Sequence, residues 1–558
     1  MFGIFKKAKP DLAAGTSGSE MAIAGGAYDG ASKFDASMST WNPPLQSADA
    51  EILPDKPLLD ARARDTFRNS SYIQHGISFR QNSVVGAEYR LNAKPRTSNL
   101  GKGFDEKWEE EFQLEIEGKF NAYANSPNFW PDAARTRTLT DMARLAIAAV
   151  GVGGEALFTA EWLGTQGRPY GTALQAIECD RLSNPNGKMD TNLLRGGVAM
   201  DRFGAPKGYH IQEEHPGDLS SGMGTFRWKY VPATKPWGRQ MIIHIFDPTR
   251  PHQTRGLAQI VTALKDIRMF SKFSDIQLQN AVARSSIMAY IKSEKPKEEN
   301  FAQLGVGMHP DAGHGLMGAY DAAVRRHLEQ AISYARGSQS AVINGVRVPH
   351  FFPGTELHML DPSADGAFGS EFAASLMRGV AAALGLSYEE LSKDFSRTNY
   401  SSLRAGMLPT WRAMLHTKRT VADRVANATY RLWLEESIGR GLIDSMPRHA
   451  KSIEWLYQGL NFDSLAAAQW IGAAKGNIDE LKEDQASVLR LNNGLTTLEQ
   501  ECAARGLDWR DVLRQIGREE AEKKRYGLGD FFGTSTAKSE AAIAKGPKDY
   551  SGDGDDDE

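Results

Sequence analysis

Two long helical patterns, separated by a turn-rich stretch, constrain the fold of this chain most strongly. The first runs from residue 257 to about residue 283, where apolar side chains recur at helical spacing. The second covers about 319–335, with Tyr320, Val324 and Leu328 on one face. At about 1.5 Å of rise per residue, the first pattern predicts a rod of about 40 Å. The sequence therefore predicts a pair of rods joined by a polar connector.

The sequence before the rods mixes helical and strand patterns. Residues 1–55 are rich in Gly, Ala, Ser and Pro, which predicts a flexible arm. From Leu58 onward, helical patterns cover about 60–86, 104–123 and 138–150. Period-two alternation and turn residues predict strands at 85–91, 156–162, 174–178, 208–211, 226–230 and 241–246.

A third helical block follows the rods, after predicted strands at 341–352 and 356–360. Ser370 is placed as an N-cap of a helix that Gly385 ends, and Ser387–Glu390 has capping-box spacing. The longest helical pattern runs from Tyr400 to about Glu436, and Pro409 predicts a kink near its start. Its predicted apolar stripe comprises Leu403, Met407, Trp411, Leu415, Val421, Val425, Ala428 and Leu432. Smaller helices are expected over 463–520, before a polar, acidic and disordered tail.

Composition excludes several classes of protein. A chain of 558 residues predicts two to four structural units. Its 69 acidic and 66 basic residues give a net charge of -3, without the basic excess of a protein that grips nucleic acid over its whole surface. Cys179 and Cys502 form no CxxC pair, so two free thiols in a reducing compartment are expected. The most apolar stretch, Leu139–Val152, is too short to span a bilayer and contains Asp141 and Arg144, so no membrane partner is expected.

The chain lacks the common signatures of catalysis. No GxxxxGK[ST] loop, HExxH pair or GxSxG elbow occurs, so no enzyme, cofactor or metal site is predicted. The glycines of Gly151–Gly154 precede a strand, which favours a tight turn over a dinucleotide site. His309 and His314 lack the further ligands that zinc needs.

A group of aromatic and arginine side chains could in principle stack on bases. We favour the interpretation that the aromatic rings lie in the core and that the arginines face solvent. The group comprises Tyr72, Phe79, Tyr89, Arg68, Arg80 and Arg90.

Five segments in the same order resemble the lambda family of phage portal proteins. They cover roughly residues 60–525 and comprise RNSSYIQHGISFRQNSVVGAEYRLN (68–92), GEALFTAEW (154–162) with LQAIECDRLSNP (174–185), the run from Ile245 through PTRPHQTRGLAQIVTALKDIRMFSKFSDIQLQNAVARSSIMAYI, GVAAALGLSYEELSKDFSRTNYSSLRAGMLPTWR (379–412) and NNGLTTLEQECAARGLDWRDVLRQIGREE (492–520).

The resemblance implies an α+β portal fold in a ring-forming subunit, normally one of twelve. It has a mixed α/β wing, a paired-helix stem, a small clip, a long kinked helix and C-terminal helices. The expected units are the arm (1–55), wing (56–255), stem helix 1 (256–284), clip (285–318), stem helix 2 (319–340), the wing return with tunnel loop and kinked helix (341–440), the C-terminal helical wing or crown (441–525) and the disordered acidic tail (526–558).

In this family the channel constriction lies just before the long kinked helix, which implies that this stretch of the chain faces DNA. Cationic side chains there could touch phosphates, and carboxylates could keep such contacts transient. The alternative is that these charges only solvate a short helix. The implied channel residues are Glu389, Glu390, Lys393, Asp394, Arg397 and Asn399. Arg325 and Arg326, on the second rod, are weaker candidates for the channel wall.

The implied function is a portal ring at one capsid vertex that conducts double-stranded DNA during packaging and ejection. Its expected partners are other copies of itself, DNA, the terminase, the major capsid or scaffold protein and a head–tail adaptor. Its expected location is the virion, after assembly in the host bacterial cytoplasm. Two alternatives stay open at this point: a packaging ATPase–nuclease, against which the missing nucleotide loop argues, and a different minor head or adaptor protein.

Overall fold

The computed structural model describes residues 28–31, 35–164, 167–218, 226–286, several positions between 322 and 332, 341–343, 346–348, 370–396, 398–476 and 480–527. Some sequence predictions lie outside these residues. They are nearly all of the clip, His309 and His314, the strand at 356–360, Arg397, and most of the arm and the acidic tail.

The part of the chain before the rods contains four helices and eight strands among its described residues. Their bounds are α1 Ala48–Asn69, α2 Ser71–Val84, β1 Arg90–Ala93, α3 Glu106–Ala124, α4 Leu139–Gly153, β2 Glu155–Trp162, β3 Thr172–Ile177, β4 Leu194–Arg195, β5 Val198–Met200, β6 Pro206–Gln212, β7 Trp228–Pro232 and β8 Ile242–Phe246.

Two antiparallel sheets form the centre of this part. One has the order β3–β2–β8 and the other β4–β5–β6–β7. Leu157 on β2 lies opposite Ile177 on one side and His244 on the other. Six of the eight residues of β2 are buried, whereas period-two alternation predicted a half-buried strand. The difference arises because α4 covers one face of β2 and a smaller cluster between the sheets, including Leu157 and Ile242, covers the other.

The described residues after β8 are mainly helical. Their bounds are α5 Leu264–Ser286, β9 Ala341–Ile343, β10 Val346–Val348, α6 Ser370–Leu384, α7 Tyr388–Ser392, α8 Tyr400–Thr417, α9 Asp423–Gly439, α10 Ile453–Leu456, α11 Asn461–Leu465, β11 Ala468–Ile471, α12 Glu480–Asn492, α13 Leu498–Ala504 and α14 Trp509–Arg525. The described positions between 322 and 332 are also helical. Helices and antiparallel sheets together confirm the predicted α+β class.

The main core joins α3, before the rods, to α9, after them. Phe120 on α3 contacts Tyr430 and Trp433 on α9, with ring centres 5.2 Å apart in both pairs. Trp470 on β11 stacks on Tyr89 at 5.7 Å. The strand β11 was not predicted, and it pairs antiparallel with β1 although almost 400 residues separate them.

Helical structure begins before Leu58, where the sequence predicted folded structure to start, because α1 already contains residue 55. Ser47 caps the first turn of α1, and Pro54 and Pro57 lie within it. The hydrophobic pattern did not reveal this helix, because its buried positions are largely polar and include Asp49, Lys56 and Asp60. The helix expected over 60–86 is interrupted at Ser70, whose extended backbone separates α1 from α2.

The long helical pattern from residue 400 contains a change of helix type that the sequence did not reveal. Residues Lys418–Ala422 form a π-helical turn between α8 and α9. In α8 the predicted apolar stripe is wrong at Leu415, which is exposed, and the interior face carries Thr410, Met414 and Thr417. In α9 the predicted positions, among them Val425 and Leu432, are buried.

The first rod also begins differently from its prediction. A 3-10 turn, Gln259–Ala263, precedes α5. The capping box predicted at Ser387 and Glu390 is confirmed, with both reciprocal hydrogen bonds present. Among the described residues, no helix is both long enough and apolar enough to cross a membrane.

Candidate functional site

The polar loop between α6 and α8 is held by a succession of local hydrogen bonds. Gly385 ends α6 with φ +68°, in the left-handed region that glycine adopts without strain. The amide of Ser387 donates to the Glu390 carboxylate at 2.9 Å. At the far end, Asn399 caps α8 by accepting from the amide of Ser402 at 2.8 Å. These caps hold a short charged loop in place between two helices.

The exposed tip of this loop carries both signs of charge. Lys393 ends α7 in a left-handed conformation with φ +59°, and its amide donates to the carbonyl of Glu389 at 2.8 Å. Its side chain is exposed, with the ammonium 5.4 Å from the centre of the Phe79 ring. Asp394 is exposed and accepts from the Ser396 hydroxyl at 2.6 Å. One cation and one anion therefore reach solvent on adjacent residues.

The other implied channel residues occupy different environments. Glu390 is 6% exposed, and its carboxylate accepts from the Thr410 hydroxyl at 2.7 Å as well as from Ser387. This burial argues against direct contact with DNA and gives Glu390 a positioning role. Glu389 is half-buried, Asn399 is exposed at the start of α8, and Arg397 lies outside the described residues.

Arg325 and Arg326 lie on the helical segment between residues 322 and 332, and both are exposed. Val324, Leu328 and Ile332 on the same segment are also exposed. An exposed segment that carries three branched apolar side chains is typical of a helix that packs against a neighbour.

The helix α5 is exposed around its whole circumference over part of its length. Phe273 meets Phe372 of α6 edge to face at 5.5 Å. Beyond it, residues 274–279 are all exposed, including Ile276 and Leu278. An isolated helix of this kind gains little stability in water, so the exposed apolar side chains favour cover by another chain.

A buried network of charges lies where the chain enters the first rod, and sequence reasoning missed it. Arg255 directs its Nε and one terminal nitrogen to the carboxylate of Glu155, with an Nε–Oε1 distance of 2.9 Å. Its remaining N–H groups donate to the carbonyls of Leu182, Gly196 and Cys179 at 2.7–2.8 Å. The guanidinium therefore joins β2, the end of β3 and the β4–β5 turn.

Further charged groups surround Glu155 inside the protein. Lys56 of α1 lies 3.4 Å from its carboxylate and 2.9 Å from that of Asp60, and Nε2 of His244 lies 3.0 Å from it. Burial alone would raise the pKa of Glu155, but Arg255, His244 and Lys56 outweigh burial and hold that pKa well below its ordinary value. Burial raises the pKa of Asp60, against the attraction of Lys56. No local motif signals this network, because its members come from segments about 100 residues apart.

Arg80, predicted to face solvent, is also buried. Its terminal nitrogens donate to the side chains of Gln259 and Thr417, at 3.1 and 3.0 Å. The predicted solvent position of Arg80 is therefore wrong, since this side chain joins α2 to the 3-10 turn before α5 and to the end of α8. Tyr89 lies in the core, as predicted.

One cluster of metal-ligating side chains occurs among the described residues. Glu178, Asp180 and His215 place their ligand atoms within 4.8 Å of one another. The guanidinium of Arg64 forms an ion pair with Asp180, so this carboxylate already has a cationic partner. We therefore assign no metal to this cluster.

Comparison with known proteins identifies the family. Residues 34–418 match the model of the family described as "Phage portal protein, lambda family", which is well over half of the chain. The chain belongs to the lambda family of phage portal proteins. This membership confirms the resemblance found in the sequence, and it confirms a structural portal protein rather than an enzyme.

Two curated relatives match this lambda-family chain over nearly its whole length. The portal protein of Escherichia phage N15 is 32% identical over 507 residues, which is 90% of this chain and 91% of the relative. Portal protein B of Escherichia phage lambda is 31% identical over 511 residues, with the same coverage. Among solved structures, the neck of an empty gene transfer agent particle covers 81% of this chain and 93% of its own, at 15% identity and a TM-score of 0.34.

Proposed function

We propose that this portal protein forms a ring of twelve copies at one capsid vertex, and that double-stranded DNA passes through the channel of the ring during packaging and ejection. The observation that carries the proposal is the exposed helix α5, with Ile276 and Leu278 in solvent. Side-by-side contacts between copies would cover these side chains. A ring of identical subunits closes such contacts without leaving an open end.

The loop tip at Lys393, Asp394 and Asn399 is the proposed contact with the DNA backbone. Neighbouring opposite charges suit a passage in which contacts must form and break, because a purely cationic lining would hold the phosphates. Arg397 belongs to the same loop and remains part of the proposal, as do Arg325 and Arg326 for the channel wall. Glu389 and Glu390 lie behind the tip and hold the loop in place through hydrogen bonds.

The proposed partners extend to the terminase, the major capsid or scaffold protein and a head–tail adaptor. The location proposed is the virion, at a capsid vertex, after assembly in the host bacterial cytoplasm. The near balance of charge over the whole chain supports a channel protein that DNA passes without adhering.

Electron microscopy and native mass spectrometry of the purified chain test the ring. We expect closed particles of twelve subunits with a central hole wide enough for a DNA duplex. A chain that stays monomeric at high concentration would refute the proposal.

Substitution of Lys393 tests the DNA contact. We expect Lys393→Gln to weaken duplex binding by assembled rings and to lower the slope of log affinity against log salt by roughly 1–3, because fewer phosphates are neutralised. Fluorescence anisotropy of labelled duplex at several salt concentrations measures the slope. Lys107→Gln, an exposed lysine on α3, is the matched control. Equal slopes for the two variants would remove Lys393 from the channel.

A further inference from the structure

Two tryptophans at one end of β2 form an exposed aromatic cleft. Trp162 and Trp237 are 59% and 51% exposed, although both are large apolar side chains. Together with Met241 and the aliphatic part of Lys235 they line a cleft of about 710 Å³. Exposed tryptophans in a cleft are typical of the side chains that dominate protein–protein contacts.

A buried ion pair fixes both indoles in place. Arg239 and Glu435 are paired at 2.6 Å with both side chains largely buried. The indole N–H of Trp237 donates to the Glu435 carboxylate at 3.1 Å, and the Arg239 guanidinium lies 5.6 Å from the Trp162 ring centre. Both indoles therefore contact buried charged groups in the unbound chain, which reduces the entropy lost on binding.

A second unpartnered apolar feature lies just before α1. The segment Trp41–Ser47, with sequence WNPPLQS, is outside helices and strands. Trp41 is 67% exposed and the Leu45 side chain is fully exposed. Pro43 and Pro44 restrict their own backbones and those of the residues before them to extended conformations. The segment therefore presents an aromatic and an aliphatic side chain on a stiff, extended peptide.

The cleft and the segment each have the composition that suits an uncharged, largely apolar contact. Extended proline-containing peptides bind aromatic-lined grooves, because the peptide loses little conformational entropy there. Trp41–Ser47 contains no charged residue. In the cleft, Arg239 is neutralised by Glu435, and Arg440 by Glu436 at 2.9 Å. The lining also contains Glu161 and Lys235, one charge of each sign, so an uncharged peptide meets a surface without an excess of either charge.

In this structure the segment does not line the cleft of its own chain and is anchored beyond the opposite end of β2. The carbonyl of Gln46 accepts from Arg250 at 2.8 Å, just after β8, whose Phe246 pairs with Glu155. The cleft lies at the other end of β2, about 23 Å away at roughly 3.3 Å per residue. Trp41 precedes the Gln46 anchor by five residues, which span at most about 17 Å when fully extended.

We propose that Trp41–Ser47 of one subunit docks in the Trp162/Trp237 cleft of the neighbouring subunit. This inference rests on the proposed ring and names one of its contacts. A ring requires a head-to-tail interface in which two different surfaces of the same chain meet. The segment supplies one such surface and the cleft supplies the other.

Ring assembly by paired variants tests the contact. We expect Trp41→Ala and Trp237→Ala each to raise the concentration for half-maximal ring formation by about tenfold or more. The double variant is expected to be little worse than either single variant, because both remove the same contact. Tyr28→Ala and Phe203→Ala, which remove exposed aromatic rings elsewhere, are the controls and should assemble as the unsubstituted chain does. Fully additive effects, or no effect of Trp41→Ala, would overturn the inference.

Crosslinking between differently substituted chains gives an independent readout. Chains carrying Asn42→Cys are mixed with chains carrying Lys235→Cys, and a short bismaleimide is added after assembly. We expect a covalent dimer that requires both variants in the mixture. Rings that form normally without this dimer would contradict the docking while leaving the ring intact. Failure of the unsubstituted chain to form any ring would instead refute the proposed function.

Discussion

Arg255 places all five of its N–H groups in hydrogen bonds inside the protein, on Glu155 and on three backbone carbonyls. Removal of Arg255 takes away the bidentate partner of the buried Glu155 carboxylate and the donor to three carbonyls, and leaves only Lys56 and His244 beside the charge. The exposed pair of Arg250 and Glu51, at 2.6 Å, lies nearby in the fold and is screened by water. The two arginines therefore allow a direct comparison of buried and exposed charge.

We expect Arg255→Met to destabilise the chain by about 3–5 kcal/mol, because Glu155 keeps its negative charge in the interior. Arg250→Met, the matched control, should cost at most about 1 kcal/mol. Thermal and urea unfolding of both variants measure the difference. Equal losses would mean that the buried network does not stabilise the fold.

Glu117 on α3 is a second buried carboxylate, and it leads to a pH dependence. Burial raises its pKa to about 7, although the Ala93 amide and Arg510 oppose the shift. Since the folded pKa lies above the ordinary value of 4.5, the folded state holds this proton more tightly than the unfolded chain does. Protonated Glu117 therefore makes its whole contribution to the free energy of unfolding below pH 4.5. This contribution is lost as the pH rises towards 7.

We expect Glu117→Gln to remove this loss, so that the variant gains about 1–3 kcal/mol relative to the unsubstituted chain between pH 5 and pH 8. The amide oxygen of glutamine can still accept from the Ala93 amide, at 2.9 Å in the structure. Unfolding midpoints across this pH range measure the gain. Glu110→Gln, on an exposed face of the same helix, should show no such trend. A flat difference for Glu117→Gln would contradict the assigned pKa.

At the scale of elements, the turn from α4 to β2 packs against the segment that leads into the first rod. Gly154 has φ +79°, and a Cβ there would lie 2.3–2.5 Å from the backbone of Leu257 and Ala258. A Cβ on Gly256 would in turn lie 2.1 Å from the Gly154 carbonyl. The sequence predicted a tight turn over the whole of Gly151–Gly154, but Gly151–Gly153 form the last turn of α4 and the chain turns at Gly154. The close backbone contact with Leu257 and Ala258 is a second reason for glycine at position 154, and the local sequence pattern did not reveal it.

We expect Gly154→Ala to destabilise the chain by about 2–4 kcal/mol, from positive φ and from overlap with rigid backbone. Gly153→Ala is the control, because a Cβ at Gly153 meets nothing within 4 Å and its backbone is helical. That variant should be neutral or slightly more stable. Unfolding midpoints of the two variants measure the contrast, and a neutral Gly154→Ala would refute the close approach.

At the scale of the whole molecule, the exposed apolar side chains of α5 imply that one chain is an incomplete unit. Ile276 and Leu278 are exposed, and so are the other residues of α5 between 274 and 279. Their burial between copies would contribute about 1–2 kcal/mol for each side chain.

We expect the double variant Ile276→Ser, Leu278→Ser to raise the concentration for half-maximal ring formation by at least about tenfold. Its circular dichroism should match that of the unsubstituted chain. Leu58→Ser, at an equally exposed leucine on α1, should assemble normally. Sedimentation velocity over a dilution series measures the assembly. Normal assembly of the double variant would exclude α5 from the subunit interface.

The sequence by itself determined the elements whose signals are local. The Ser387–Glu390 capping box, the end of α6 at Gly385 and the apolar face of α9 follow from neighbouring residues, and the order of five segments identified the family. The tertiary structure alone decided which charges are buried. The contacts of Glu155 with Lys56, His244 and Arg255, the interior position of Arg80 and the pairing of β1 with β11 join residues about 90 or more positions apart. No periodicity within a segment encodes such contacts.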